Sequence, residues 1–466
     1  LLRVETGCGK TAAVVLAWLW RRRTRPNETP RRLVYCLPTR VLVEQTRDRI
    51  QQWVSKLGKQ DQLGVHSLMG GEVQEEWERS LETEAIIVGT QDMLLSRSLN
   101  RGYAETRFRW PVSFGLLNSD CLWVSDEVQL MSTGLTTSAQ LAAFRRRFSP
   151  FGPVHHLWMS ATLDRRCLGT VDFGEFADAL QEEKLLGDDR AVKLLARRLT
   201  APKQLERCEI ATDASDYLGR AAGALSEVHR DGALTMAIVN TVERAQDIWE
   251  AVKRSHSDRN VLLIHSRFRA QERAVLHEKL KQMQDSGGIV VATQVVEAGV
   301  DISAQTLFTE LAPWPSLVQP FGRCNRYGEI QSGRVLWVDV DEKKPAPYAP
   351  EELAEARQEM DHLTGSSVAP KDLPPVTLEP VRDHVLRRKY LMELFDTTPD
   401  LFGNDIDVSR FIRQADDHEV QVFWRIWDGA QPHADQVGRP AREELCSAPI
   451  GDFRGGKRAK TAPPDA

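Results

Sequence analysis

Eight residues near the start of the chain, Val4-Glu5-Thr6-Gly7-Cys8-Gly9-Lys10-Thr11, have the types and order that cradle a polyphosphate. Two glycines let successive amide N–H groups of Thr6, Gly7, Cys8 and Gly9 turn toward one anion, and a helix beginning near Lys10 adds its positive end. In such a loop Lys10 reaches the β- and γ-phosphates and the Thr11 hydroxyl binds Mg²⁺. Val4 stands where the general pattern has its first glycine, so a plain glycine turn before a helix is the competing reading. Downstream, Cys121-Leu122-Trp123-Val124-Ser125-Asp126-Glu127 is an apolar strand that ends in two carboxylates. An Asp in that place holds Mg²⁺ through water, and the adjacent Glu orients and deprotonates the attacking water. Acids also decorate strand ends and helix starts, and the upstream loop is what favours the catalytic pairing. ATP and Mg²⁺ are the expected ligands.

Such a site needs parallel strands to carry it. Leu33 to Leu37, Ala85 to Val88, Cys121 to Ser125 and Val154 to Met159 read as buried strands, with helical stretches such as Val41 to Leu57 between them. After a mixed segment at 164–206 the alternation resumes with Thr235 to Val239, Val261 to Ile264, Gly288 to Ala292 and Arg334 to Val338. That pattern predicts α/β architecture in two parallel-sheet lobes. Prolines from Pro345 to Pro380 bracket one helical stretch, Glu351 to Leu363, and read as a spacer.

Six ordered motifs resemble those of superfamily 2 helicases. They are the phosphate loop; Pro38-Thr39-Arg40; Val88-Gly89-Thr90-Gln91 with Asp126-Glu127-Val128-Gln129; Ser160-Ala161-Thr162; Ala292 to Asp301; and Gln319-Pro320-Phe321-Gly322-Arg323-Cys324-Asn325-Arg326. Asp126-Glu127-Val128-Gln129-Leu130-Met131 and Phe321 to Glu329 narrow the resemblance to the CRISPR-associated helicase-nucleases of type I interference. The resemblance implies two tandem RecA-like, P-loop NTPase domains. Lobe one is expected over 1–205 and lobe two over 206–342, followed by a Pro-rich linker at 343–380, an accessory module at 381–450 and a disordered tail at 451–466.

The same resemblance assigns roles. ATP lies between the lobes, with Gln319, Arg323, Arg326, Gly299 and Asp301 approaching from lobe two. Arg326 is the expected arginine finger and Arg323 its partner; arginines paired to acids such as Glu329 are the competing reading. Gln129, Ser160 and Thr162 couple hydrolysis to lobe movement. Thr39, Arg40, Gly71, Thr90, Asn240, Thr241 and Thr293 hold the phosphates of single-stranded DNA, against a cap or turn role for each threonine. The implied activity is ATP-driven 3′→5′ movement on DNA after recruitment by a crRNA-guided effector complex. Another superfamily 2 RNA or DNA helicase, or a non-catalytic ATP-binding remnant, is the alternative. The family's HD nuclease is not expected here, because the sequence has no His-Asp dipeptide. That nuclease is then separate, or lies in a missing part of a longer product, consistent with a first residue that is not Met.

Composition bounds these readings. A formal charge of −5 excludes a generally basic nucleic-acid coat, leaving a local groove. Seven scattered cysteines without a C-x-x-C pair suit a reducing cytosol and argue against a disulfide scaffold or zinc ribbon. No apolar run reaches the length of a membrane span, so a cytoplasmic protein is expected. Cys8, at a helix start, is expected to have a lowered thiol pKa and to oxidise readily. The arginines at 21–25, 31 and 32 read either as a DNA path or as a solvated helix end.

Overall fold

The structure is a computed structural model. It describes residues 1–5, 7–58, 63–70, 72–73, 76–161, 163–210, 216–256, 259–294, 302–341, 347–374, 384–396, 405–413, 419–425, 438–441 and 444–449. Thr6, Gly71, Thr162, Gly299, Asp301 and the tail at 451–466 lie outside the described residues.

Two sheets carry the molecule. The first has β1 (Leu2–Arg3), β2 (Arg32–Leu37), β3 (Leu63–Met69), β4 (Glu72–Val73), β5 (Glu84–Thr90), β6 (Cys121–Asp126), β7 (Val154–Ser160) and β8 (Glu183–Lys184). Their order is β4-β3-β5-β2-β6-β7-β1-β8, parallel except at the β3–β4 pair. The second has β9 (Lys203–Arg207), β10 (Leu234–Val239), β11 (Val261–Ile264), β12 (Gly288–Thr293), β13 (Thr306–Glu310) and β14 (Gly333–Val338). All its pairs are parallel, in the order β11-β12-β10-β13-β14-β9. Two RecA-like lobes are therefore present. Helices cover both faces of each sheet, so the central strands are mostly apolar, as in Arg32–Leu37 and Leu234–Val239, buried at every position.

On one face of sheet one, helices α1 (Lys10–Thr24) and α2 (Arg40–Lys56) bury Val15, Trp18, Val43 and Ile50. The other face takes α3 (Gln91–Ser98), α4 (Trp110–Asn118) and α5 (Thr133–Phe148). The arginine-rich end of α1 lies at the opposite edge of the sheet from the strand C-termini. Arg22 binds Glu84 and the Thr29 carbonyl, and Arg31 binds Asp120, at the starts of strands. Arg22 and Arg31 thus tie the end of α1 and the loop after it to the strand starts.

Three boundaries differ from expectation. β9 pairs with β14, so the second sheet begins at Lys203 and the 205/206 boundary falls inside a strand. The helix Pro350–Leu363 is no spacer: Leu353, Ala356, Met360 and Leu363 lie on one face and join the core of lobe two. After it, Gly365 N–H donates to Leu205 O and Val368 N–H to Lys203 O, adding an antiparallel edge to β9. Nor do the described residues between 384 and 413 form a separate module. Leu386, Leu394, Val408, Phe411 and Ile412 are buried in the core of lobe one, among the side chains of α3 and α5. A two-strand ribbon, β15 (Glu419–Val422) and β16 (Cys446–Pro449), completes the described chain. No helix among the described residues is long and apolar enough to cross a membrane.

Candidate functional site

Ligands of parallel sheets bind beyond the carboxyl ends of the strands, and the site residues gather there. β1 feeds a loop in which Gly7 and Gly9 both have φ of +83°, a conformation that costs an L-residue about 1–2 kcal/mol. Gly9 is the N-cap of α1 and Lys10 its first residue. Lys10 is buried to 8% exposure, its Nζ donating to Val4 O at 3.2 Å. Val4 N–H donates to Ser160 O, tying the loop to the end of β7.

β6 delivers Asp126 two strands along from β1. The Tyr35 hydroxyl, from β2 between them and β5, donates to Asp126 Oδ2 at 2.7 Å and lies 3.2 Å from Thr11 Oγ1. Burial, then the neighbouring Glu127 charge, pushes the Asp126 carboxyl up to about 6, with Lys10 opposing. Glu127 sits at φ +50°, held by its N–H on Asp126 Oδ1 at 2.9 Å. A relay of hydrogen bonds follows: Gln129 Nε2 donates to Glu127 Oε2 at 2.6 Å, and Ser160 Oγ to Gln129 Oε1 at 2.8 Å. Two of the three expected coupling residues thus link the carboxylate at the end of β6 to the end of β7.

Lobe two faces this edge with the turn after the helix Trp314–Phe321. Gln319, Arg323 and Asn325 are buried. Arg326 lies against the phosphate loop, so that a β-carbon at Gly7 would stand 3.9 Å from its guanidinium. A cleft of about 400 Å³ results, lined by Gly7, Lys10, Thr11, Asp126 and Glu127 from one lobe and Arg323 and Arg326 from the other.

Several residues that build the cleft carry no sequence signal. Asn325, at φ +43°, donates to Pro202 O and Ile330 O and fixes the arginine turn. Lys203 donates to Phe321 O at 2.7 Å and Cys324 O at 2.8 Å, its pKa brought down to about 8 by burial. Arg198 donates to Gly7 O and stacks on Tyr327 at 5.3 Å, bridging the loop to the arginine turn. Apart from Ile330, five residues from Asn325, each partner is a backbone oxygen or a ring far away in sequence, which no spacing rule reveals.

Cys8 corrects an expectation. Burial and then Glu5 raise its thiol pKa, and these outweigh Lys10, Arg198 and Arg190. Cys324 is a buried packing residue, as expected. His155 and His156 point to opposite faces of β7, and His156 stacks 6.4 Å from Trp123 and 5.6 Å from Trp158. No group of three or more His, Cys, Asp or Glu among the described residues could hold a metal.

The expected strand-binding residues form a repeated pattern. Leu37 pairs with Thr90 and Val239 with Thr293, and two residues beyond each first partner stands a helix N-cap, Thr39 and Thr241. Each lobe therefore presents two threonines on neighbouring strand ends. Several of their groups are engaged locally. Thr90 Oγ1 accepts from Met93 N, Thr241 Oγ1 from Arg244 N, and Asn240 donates its side-chain amide to Leu311 O. Arg40 is exposed at the start of α2.

Comparison with known proteins agrees with this geometry. A family described as DEAD/DEAH box helicase matches residues 1–169, and one described as CRISPR-associated nuclease/helicase Cas3, C-terminal, matches residues 231–329. The CRISPR-associated nuclease/helicase Cas3 of Methanothermobacter thermautotrophicus is 26% identical over 207 residues, 42% of this chain and 22% of the relative. The matched segment is likewise 24% of the length of the Myxococcus xanthus relative, so the chain matches under a quarter of either protein. Among solved structures, T. fusca Cas3-AMPPNP superposes with a TM-score of 0.60 at 16% identity, covering 85% of this chain and 50% of that one. A chain of a CRISPR RNA-guided surveillance complex in a pre-nicking state gives 0.54 at 18% identity, covering 79% and 46%. With ordered motifs, two RecA-like lobes and a match on each, the chain is similar to superfamily 2 helicases of the Cas3-like kind.

Proposed function

We propose that this chain is an ATP-hydrolysing motor that moves along single-stranded DNA in type I CRISPR interference, recruited by a crRNA-guided effector complex. The observation that carries the reading is the cleft itself, in which Lys10, Thr11, Asp126 and Glu127 face Arg323 and Arg326 across two lobes. The oxygen donor set of the Thr11 hydroxyl and a buried Asp126 carboxyl, both beside the Tyr35 hydroxyl, fits Mg²⁺. Bound there, Mg²⁺ supplies charge neutralisation for the β- and γ-phosphates.

The protein's own groups do the rest. Lys10 and the loop amides hold the phosphates in line. Glu127 accepts the proton of the water whose oxygen bonds to the γ-phosphorus, while the bridging oxygen departs with ADP. Arg326 and Arg323 stabilise the charge on the transferring group when the cleft is shut, which makes turnover conditional on closure. The strand-end pairs Thr39/Thr90 and Thr241/Thr293 sit on both lobes, so opening and closing changes the distance between two holds on one strand.

The test is ATP turnover with single-stranded DNA, RNA or neither. Glu127→Gln lowers turnover by roughly 10²-fold or more while ATP and DNA stay bound together. Lys10→Ala mainly loses ATP. Stimulation by RNA and not DNA would favour another superfamily 2 helicase, and an unaltered Glu127→Gln rate would remove the general-base assignment.

A further inference from the structure

A second cavity, of about 330 Å³, lies beside the nucleotide cleft, and Arg198 and Arg326 line both. Its walls come from β1 and β8 of lobe one and from β9 and the end of the helix Trp314–Phe321 of lobe two. Seven Lys and Arg side chains line it against one carboxylate, Glu5. Outside the lining, Glu182 pairs with Arg3 at 3.7 Å and Lys184 at 3.0 Å, and Asp372 with Lys371 at 4.0 Å. Counting these, cations still outnumber carboxylates seven to three. Lys203, deep in the wall, is satisfied only by carbonyl oxygens.

Lys203 and Arg198 hold backbone carbonyls and Arg190 pairs with Glu5 at 2.6 Å, yet the wall as a whole stays cationic. A concave, partly dry cationic cavity attracts small anions strongly. The sheet orders separate it from the threonine pairs: those stand at the β5–β2 and β10–β12 ends, while the cavity opens at the β1–β8 and β14–β9 ends. A strand held by the threonines therefore runs past the other side of the lobes. The anion made next door is orthophosphate, formed on the loop side of Arg326.

We propose that this cavity receives orthophosphate from the nucleotide cleft past Arg326 and Arg198 and is its route of release. The inference rests on the ATPase reading above. Lys184 and Lys371, half-exposed and outside the nucleotide cleft, are the residues to change. In the double variant Lys184→Glu/Lys371→Glu, the quenched-flow hydrolysis step stays within about twofold of the parent. Inhibition by added inorganic phosphate weakens about tenfold or more, and the release rate seen with a fluorescent phosphate sensor changes with it. Titration of inorganic phosphate into the nucleotide-free protein provides an arm that needs no turnover. Lys10→Ala retains this binding and the double variant loses it; if the parent hydrolyses no ATP, the release route falls with the ATPase reading while the anion site stands. Unchanged phosphate inhibition and release in an active double variant overturns the proposal. So does a double variant that loses single-stranded DNA binding and keeps phosphate binding, which would assign the cavity to backbone phosphates.

Discussion

Ser160 illustrates how much one hydroxyl can decide. Its Oγ orients the Gln129 amide, whose other end donates to Glu127, while its carbonyl receives the N–H of Val4 at the foot of the phosphate loop. The Glu127 carboxylate, the proposed general base, is thereby joined to the loop that carries Lys10. Ser160→Ala removes one such hydrogen bond, worth about 1 kcal/mol, and so lowers ATP turnover about fivefold. Nucleotide affinity, set by Lys10 and the loop amides, stays within about twofold. Steady-state turnover and nucleotide titration separate the two, and a loss of affinity at unchanged maximal turnover would contradict the relay. Glu127, Gln129 and Ser160 were readable from sequence because each lies in a short motif with its own spacing. Tyr35, Lys203 and Asn325 were not, since their partners lie 91, 118 and 123 residues away, two of them being backbone oxygens. Cys8 was misread for a related reason: proximity to a helix start was visible in the sequence, and burial beside Glu5 was not.

Elements were legible wherever burial on both faces left a strand with a continuous apolar run. β2, β6, β10, β11 and β12 follow that rule, and their expected limits agree with the observed ones within two residues. β9, Lys-Gln-Leu-Glu-Arg, escaped because it alternates between buried and exposed positions at a sheet edge. The helix Pro350–Leu363 was seen but misplaced: its prolines suggested a spacer, although its apolar residues fall on one face. The turn after β11 carries a pH-dependent device of its own. His265 stacks on Phe268 at 4.3 Å and accepts the Arg267 N–H on Nδ1, so the ring is neutral in the folded chain. Burial, and secondarily Arg267, bring its pKa down to about 4 from the ordinary 6.5. The folded protein then binds fewer protons than the unfolded chain between those values. The histidine's contribution is complete above about pH 6.5 and is lost as pH falls toward 4, at most roughly 3 kcal/mol. Denaturant unfolding of lobe two at pH 7 and pH 5 is expected to show this loss, with a smaller difference in His265→Asn.

At the scale of the whole molecule the chain goes out through lobe two and comes back. Leu386 exchanges hydrogen bonds with Gln140, and Leu394 O accepts from Asn100 and Arg101, contacts that span 246 and about 293 residues. Phe411 and Ile412 close the same core over α5, and Arg413 is paired with Asp92. Lobe one therefore owes part of its stability to a segment made after lobe two, while lobe two is completed by the nearby helix Pro350–Leu363. Truncating a buried Phe typically costs about 3–5 kcal/mol. Phe411→Ala should place that loss on lobe one, 263 residues or more from the nearest residue of α5 in sequence. Hydrogen exchange would then accelerate in α3 and α5 and not in β10–β13. ATP turnover would fail at a lower temperature than the unfolding of lobe two, because the cleft needs both lobes. If exchange instead rose equally in both sheets, the two lobes would be one cooperative unit, and the returning segment would be no particular support of lobe one.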